Sequence, residues 1–222
     1  MTVDDAKALG IPVDEPQKSE GLLLLGKLPD TSISLAFLDP QYRALLDKQA
    51  YGNEGKQRGQ TQCALPQMSA PIIREFVSEI YRVLEHSGHL MLWVDKYILC
   101  EGVRSLLGDS GFAVVDMITW NKDRMGMGYR SRRFGEHLVV LQKPPIRAKG
   151  VWRVHDIPDV WTEKISADQR KHTHHKPVGL QSRLIEATTN PEDIVLDPAA
   201  GGYSVMTAAL SVGRHFIGCD LR

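Results

Sequence analysis

The chain has 222 residues, enough for one substantial domain with at most a small appendage. Its 42% hydrophobic and 24% charged residues fit an ordinary soluble globular protein, and its longest apolar runs, such as GLLLLG, fall far short of a bilayer span. The formal net charge of zero disfavours a bulk nucleic-acid coat, and three scattered cysteines (Cys63, Cys100, Cys219) with no CxxC pair argue for reduced thiols in a cytosol.

The N-terminal MTVDDAKALGIP carries acids and no long apolar stretch, so it does not read as a secretory signal. ISLAFLD (33–39) is a short apolar run ending in Pro40 and reads as a buried strand. Next, Ile72, Ile73, Phe76, Val77, Ile80, Tyr81 and Leu84 recur at helical spacing. Ser69 is placed to cap that helix, Pro71 suits its first turn and Gly88 its stop. HLMLWVD (89–95) is again strand-like, and YILCEGVRSLLGDSG reads as a helix. FAVVDMITW (112–120) and HLVVLQK (137–143) read as strands and PVGLQSRLIEATT (177–189) as a helix. IVLD (194–197), SVMTAALSVG (204–213) and HFIGCD (215–220) complete a strand, helix and strand. Strands separated by helices imply parallel pairing with helices on both faces, and open sheets of this kind bind ligands at the carboxyl ends of their strands.

Two segments resist assignment. Residues 43–68 are polar and Gly-rich and read as a long loop, and residues 144–176 have mixed charge and little periodicity. Long irregular stretches in a compact domain are usually functional or mobile. No second domain boundary is evident, so residues 1–222 are read as one domain. The charge is also uneven. Residues 122–183 hold fourteen Lys/Arg against six Asp/Glu, a surplus of eight in a chain of net zero. Such a span suits a polyanion, and equally a solvated surface.

Two strand ends carry acids. IVLDPAAGGYSV places Asp197 at the end of a strand, with Gly201 and Gly202 following and a helix after them. Glycines let the backbone approach a ligand closely, and a helix start supplies free N–H groups. The next strand ends on Asp220, about 20 residues beyond the glycines and placed to accept bonds from ribose hydroxyls. Taken alone, each feature also fits an ordinary strand-to-helix turn. The same holds for LDPQY (38–42), since Asp-Pro often starts a turn.

Together these pieces resemble a family. HTHHKPVGLQSRLIEATTNPEDIVLDPAAGGYSVMTAALSVGRHFIGCDL is similar to the AdoMet-binding half of the beta-class DNA amino-methyltransferases. That pattern runs H-x-x-x-K-P, a helix, D-P-F-x-G-x-G-T, a helix, then a strand ending in an acid. The family's D-P-P-Y precedes its cofactor motif in the chain, as LDPQY does here. EIYRVLEHSGHLMLWVD and ITWNKDRMGMGYRSRRFGEHLVVLQK resemble the middle motifs. The resemblance spans residues 21–222, and the order of its parts is its most specific feature. Among the departures, Gln41 stands for the second proline, Ala199 for the usual Phe, and Tyr203 for the last Gly.

The resemblance implies a Rossmann-like AdoMet-dependent methyltransferase fold, α/β, with a mostly parallel central sheet. It implies methyl transfer from S-adenosylmethionine to an exocyclic amine of a base in double-stranded DNA, with adenine N6 as the first reading. Cytosine N4 needs the same geometry. Methylation of RNA or protein, and a DNA-binding relic with an altered cofactor loop, stay open as alternatives. Asp39, Pro40, Gln41 and Tyr42 would form the catalytic motif. The Asp39 carboxylate and Pro40 carbonyl would take the two amine N–H bonds, and Tyr42 would stack on a base turned out of the duplex. Lys176, Pro177, Asp197, Pro198, Ala199, Gly201, Gly202, Tyr203, Ser204 and Asp220 would hold the cofactor, with Lys176 on its carboxylate.

Arg43, Arg124, Arg130, Arg132 and Arg133 are the expected DNA contacts, because guanidinium groups fork onto phosphates or guanine. Residues 43–68 would lie near the catalytic motif. Residues 144–176 occupy the place of the family's target-recognition region. Its small size suggests that a second subunit shares recognition, as in a homodimer. The expected setting is a cytoplasmic restriction-modification, phage or regulatory enzyme with no membrane contact. His172, His174 and His175 lack the further ligands a metal site wants and read as a polar loop. Cys63 lacks the setting of a nucleophilic thiol.

Overall fold

Period-two alternation and helical stripes decide which side of the sheet each residue faces. In the computed structural model, residues 1–40, 68–126, 130–165 and 175–221 are described. The elements in chain order begin with α1 (Val3–Ala8), α2 (Gly21–Lys27), β1 (Ile33–Leu38), α3 (Ala70–Val83) and β2 (Leu84–Val94). Then come α4 (Lys96–Glu101), α5 (Arg104–Leu107), β3 (Ala113–Asn121), β4 (Gly135–Gln142) and β5 (Val160–Thr162). The last are α6 (Val178–Thr188), β6 (Ile194–Asp197), α7 (Ser204–Ser211) and β7 (His215–Gly218).

The strands form one sheet in the order β5-β3-β4-β2-β1-β6-β7. Every neighbouring pair is parallel except those involving β4, which runs antiparallel to both β2 and β3. The expected α/β architecture is thus the observed one, with a single reversed strand. On one face Ala36, Leu90, Leu92, Val139 and Leu196 pack with α2 and α3. On the other, Leu35, Phe37, Met91, Val140 and Val195 pack with α6 and α7. Burial on both faces is why β1 and β6 read as continuous apolar runs rather than alternating ones.

Helix α3 buries Ile73, Phe76, Val77, Ile80 and Val83, the stripe the spacing predicts. Ser69 stands at its N-cap, but its side chain makes no capping bond. The helix stops at Val83, short of Gly88. The Lys143 ammonium donates to the carbonyls of Tyr81 and Leu84, both at 2.7 Å, and so closes the last turn. The chain then enters β2 through a bulge: Ile33 faces Leu84, while Leu35 already faces His89. Gly88 serves that bulge rather than a helix stop, since a Cβ there would sit 3.0 Å from the Ser34 carbonyl oxygen. The helix expected from YILCEGVRSLLGDSG breaks into α4 and α5 at Gly102, whose φ is +93°.

The N-terminal segment, unassigned by periodicity, supplies α1, α2 and a strap against β7. Asp14 N–H donates to Phe216 O, Asp220 N–H to Gln17 O and Ser19 N–H to Asp220 O. No helix among the described residues is long and apolar enough to cross a membrane.

Candidate active site

Strands β1 and β6 are neighbours and run parallel, with Leu35 opposite Val195 and Ala36 opposite Leu196. Their carboxyl ends therefore adjoin, and the turns that begin at Asp39 and Asp197 open on the same rim of the sheet. Asp220 follows the neighbouring strand β7 and is near enough for its charge, like that of Asp39, to act on Asp197.

Asp197 is buried, and its carboxylate accepts the Ala199 N–H at 3.1 Å. Burial pushes its carboxyl up to about 8, and repulsion from Asp39 and Asp220 adds to that rise. The turn beyond it is tightly built. Cys219 N–H donates to Asp197 O, and Ala200 N–H to Cys219 O. The Cys219 thiol is raised to about 12, first by burial and then by the two aspartates, so it stays protonated at neutral pH.

Gly21, at the start of α2, abuts this turn. A Cβ there would lie 2.2 Å from the Pro198 carbonyl oxygen and 2.5 Å from the Phe76 ring, so only glycine fits. Over Gly201, by contrast, an added Cβ would meet nothing within 4 Å. The Gly201 turn is open, and Asp39, Asp197 and Asp220 follow the adjoining ends of β1, β6 and β7, an acid-rich rim that suits a ligand bringing cationic groups and hydroxyls.

Tyr203 occupies the N-cap of α7 in the left-handed region (φ +55°). Its ring packs edge-on against Phe216 at 6.1 Å, and its hydroxyl donates to Gln17 O at 2.8 Å. The tyrosine thus pins the N-terminal strap. Gly202 follows the open turn, and Ser204 is buried at the first position of α7.

On the other side of Asp39 stands Lys176. Its ammonium lies 2.9 Å from Asp39 Oδ2 and 2.8 Å from Glu136 Oε2, above the Trp93 ring at 4.9 Å. Burial disfavours its charge, but Asp39 and Glu136 outweigh that and hold the lysine above its ordinary value. Burial likewise opposes ionisation of Glu136, yet Lys176 and Lys122 hold its carboxyl well below the usual range. Lys122 pairs with the second Glu136 oxygen and lies over Trp120 at 4.8 Å. Pro177 is the N-cap of α6, whose first N–H groups go to Glu163: Gly179 N–H and Leu180 N–H each donate to its carboxylate at 3.0 Å.

Arg124, Arg130, Arg132 and Arg133 are exposed on the β3–β4 connection. Because β3 runs parallel to β2 and β1, that connection sits on the same rim as Asp39. Arg132 donates back to Gly126 O at 2.8 Å, which folds the loop on itself. The structure brings Asp39, Pro40, Lys176, Asp197 and Asp220 together. Gln41, Tyr42 and Arg43 lie outside the described residues, as do His172 and His174.

The sequence matches the N6/N4 family of DNA methylases over residues 33–222. The chain belongs to this family. It is 51% identical over 210 residues to the Type II methyltransferase M.HhaII of Haemophilus parahaemolyticus, covering 94% of this chain and 91% of that protein. Among solved structures, M1.HpyAVI in its SAM complex superposes with a TM-score of 0.66 at 18% identity, over 94% of this chain and 93% of the other. The cytosine-N4-specific PvuII DNA methyltransferase gives 0.67 at 14% identity, over 94% and 82%. At such identities the two superpositions speak for the methyltransferase fold.

Sequence reading of this methylase missed Gly21, Lys122, Trp93, Glu136 and Glu163. Lys122 and Glu136 lie within the middle stretch that resembles the family, but Glu136 and Lys176 are 40 positions apart and nothing in the sequence marks these residues, or Glu163, as partners. The only available hint was an acid at the mouth of an otherwise apolar strand, GEHLVVLQ.

Proposed function

We propose that this chain transfers the methyl group of S-adenosylmethionine to the exocyclic N6 of adenine in DNA. The observation that carries the reading is the meeting of Asp39, Lys176, Asp197 and Asp220 at the adjoining carboxyl ends of β1, β6 and β7. AdoMet supplies an electrophilic methyl on a sulfonium. The open turn above Gly201 and the acid cluster suit its positive charge, and Asp220 is placed for its ribose.

The chain's own task is to hold the amine. An exocyclic amine is a poor nucleophile because its lone pair is delocalised into the ring. The Asp39 carboxylate accepts one N–H and the Pro40 carbonyl the other, which fixes the lone pair toward the cofactor side of the cleft. As positive charge grows on the nitrogen, Asp39 stabilises it. Tyr42 stacks on the extruded base, and Arg124, Arg130, Arg132 and Arg133, with Arg43, contact the phosphates.

The identity to M.HhaII supports a Type II modification role. Double-stranded DNA is the partner this reading takes, and the small 144–176 region is our ground for a second subunit sharing recognition. The Asp39–Pro40 turn would hold either exocyclic amine, and adenine is our first reading. Mass spectrometry of nucleosides from DNA incubated with the protein and AdoMet tests the reading. N6-methyladenine is expected. N4-methylcytosine would move the target to cytosine, and no methylated nucleoside would refute methyl transfer to DNA.

A further inference from the structure

The ammonium of Lys176 sits between two carboxylates. One belongs to Asp39, the group assigned to the substrate amine, and the other to Glu136 on β4. Glu136 is held in turn by Lys122 on its far oxygen. The result is an alternating row, Asp39–Lys176–Glu136–Lys122, that runs from the β1 turn to the end of β3. It is backed by two indoles, Trp93 under Lys176 and Trp120 under Lys122, which themselves meet edge-on at 6.1 Å.

We propose that Glu136 is a positioning residue for methyl transfer, acting on Asp39 through Lys176. This rests on the function proposed above.

A lysine has a flexible stem, and one carboxylate partner leaves its ammonium free to swing. Two carboxylates on opposite sides, with an aromatic face beneath, fix it at one point. Lys176 then holds one Asp39 oxygen at 2.9 Å and so sets the direction of the whole carboxylate. Charge sharing matters as much. With Glu136 present, the lysine's charge is divided between two acids, and Asp39 keeps acceptor strength for the substrate N–H and for charge growing on nitrogen. Without Glu136, Asp39 becomes the main counter-ion of Lys176, and the carboxylate is drawn off the amine. Other charged groups face this row. Asp197 and Asp220 lie at the ends of β6 and β7, His137 on β4 feels both Glu136 and Asp95, and Glu163 sits at the start of α6. Glu136→Gln leaves all of these in place and removes one charge.

Two readouts test the proposal. In steady-state methylation of DNA, Glu136→Gln should lower kcat roughly 10- to 100-fold, the scale of a misplaced catalytic group. The dissociation constant for AdoMet and the KM for DNA should stay within about twofold. In the ligand-free protein, a crystal structure of Glu136→Gln should show the Lys176 ammonium drawn onto Asp39 and the Asp39 carboxylate turned from its wild-type direction, because Lys176 has lost its second anion. This second readout does not depend on methyl transfer, so it separates failure of the row from failure of the assigned reaction. An unchanged kcat, an Asp39 carboxylate left in its wild-type direction, or parallel loss of AdoMet binding and kcat would each overturn the proposal. Should Glu136→Gln not fold, Lys122→Gln carries the same test. It should lower kcat about 2- to 10-fold with AdoMet binding intact, and an unchanged kcat there overturns the proposal equally.

Discussion

Replacing Asp197 with asparagine should make the ligand-free protein more stable while weakening its hold on AdoMet. The carboxyl is buried, and burial with repulsion from Asp39 and Asp220 moves it from 3.8 in the unfolded chain to about 8 in the folded one. A raised acid binds its proton more tightly when folded. Its penalty is therefore absent well below pH 4, grows as pH rises from 4 to 8, and is constant above that. At pH 7, below the folded value, the part of the displacement already realised corresponds to a ceiling of about 4 kcal/mol. The Ala199 N–H bond at 3.1 Å and local relaxation offset part of it, so a net gain of about 1–3 kcal/mol is expected for Asp197→Asn at pH 7. For a chain of this size that is a rise in Tm of about 3–10 °C. Calorimetric unfolding at pH 4, 6 and 8 provides the assay. The gain should be near zero at pH 4 and largest at pH 8, and added AdoMet should raise the Tm of wild type far more than that of the variant. If Asp197→Asn is less stable than wild type by the same amount at every pH, the carboxyl is not a strained, ligand-awaiting acid and the reasoning is refuted.

Three further outcomes are expected. AdoMet binding to wild type near pH 7 should release a proton from Asp197, seen as a dependence of the calorimetric binding heat on the buffer's ionisation enthalpy; equal heats in phosphate and Tris would contradict it. Asp39→Ala should abolish methyl transfer and leave AdoMet affinity within a few fold, as measured by nucleoside analysis and calorimetry; undiminished turnover would remove Asp39 from the assigned role. Gly21→Ala should cost about 1–3 kcal/mol by denaturant titration and weaken AdoMet binding, since its methyl would meet the Pro198 carbonyl at 2.2 Å; wild-type stability would show that the α2–turn contact is not tight.

His215 gives a separate pH signature. Its Nδ1 lies 2.6 Å from Asp14 and its Nε2 3.2 Å from Glu192, and the Asp14 bond raises its proton affinity above the ordinary 6.5. A raised histidine contributes stability below pH 6.5 that is lost as pH climbs through the folded value. His215→Asn should therefore narrow its deficit relative to wild type as pH rises from 6 to 8 in thermal melts. A deficit independent of pH would contradict this coupling.

Much of the fold was legible because buried parallel strands are short, apolar and bounded by turn residues. ISLAFL, IVLD and HFIG needed no partner to be recognised. The helix expected to run to Gly88 was misjudged for a physical reason. Helical spacing continued past Val83, but the register of β2 against β1 demanded an extended bulge there, and Lys143, some 60 positions away, closed the helix from outside. Elements α1 and α2 were missed because each has only six or seven residues and is held by packing against the sheet rather than by its own periodicity. At the site, Asp39, Asp197 and Asp220 were readable from strand-end chemistry. Glu136 was not, since its meaning depends on Lys176 approaching from a distant segment. Tyr203 was readable as a departure, but its direction toward Gln17 and Phe216 follows from the strap, which carries no motif.

The most direct test is a crystal structure of the protein with AdoMet bound. The sulfonium should lie in the cleft above Gly201, with Asp197 and Asp220 on the cofactor and the methyl directed toward the Asp39–Pro40 turn. A cofactor bound elsewhere, or one whose methyl points away from Asp39, would contradict the joint site on which the assigned reaction depends.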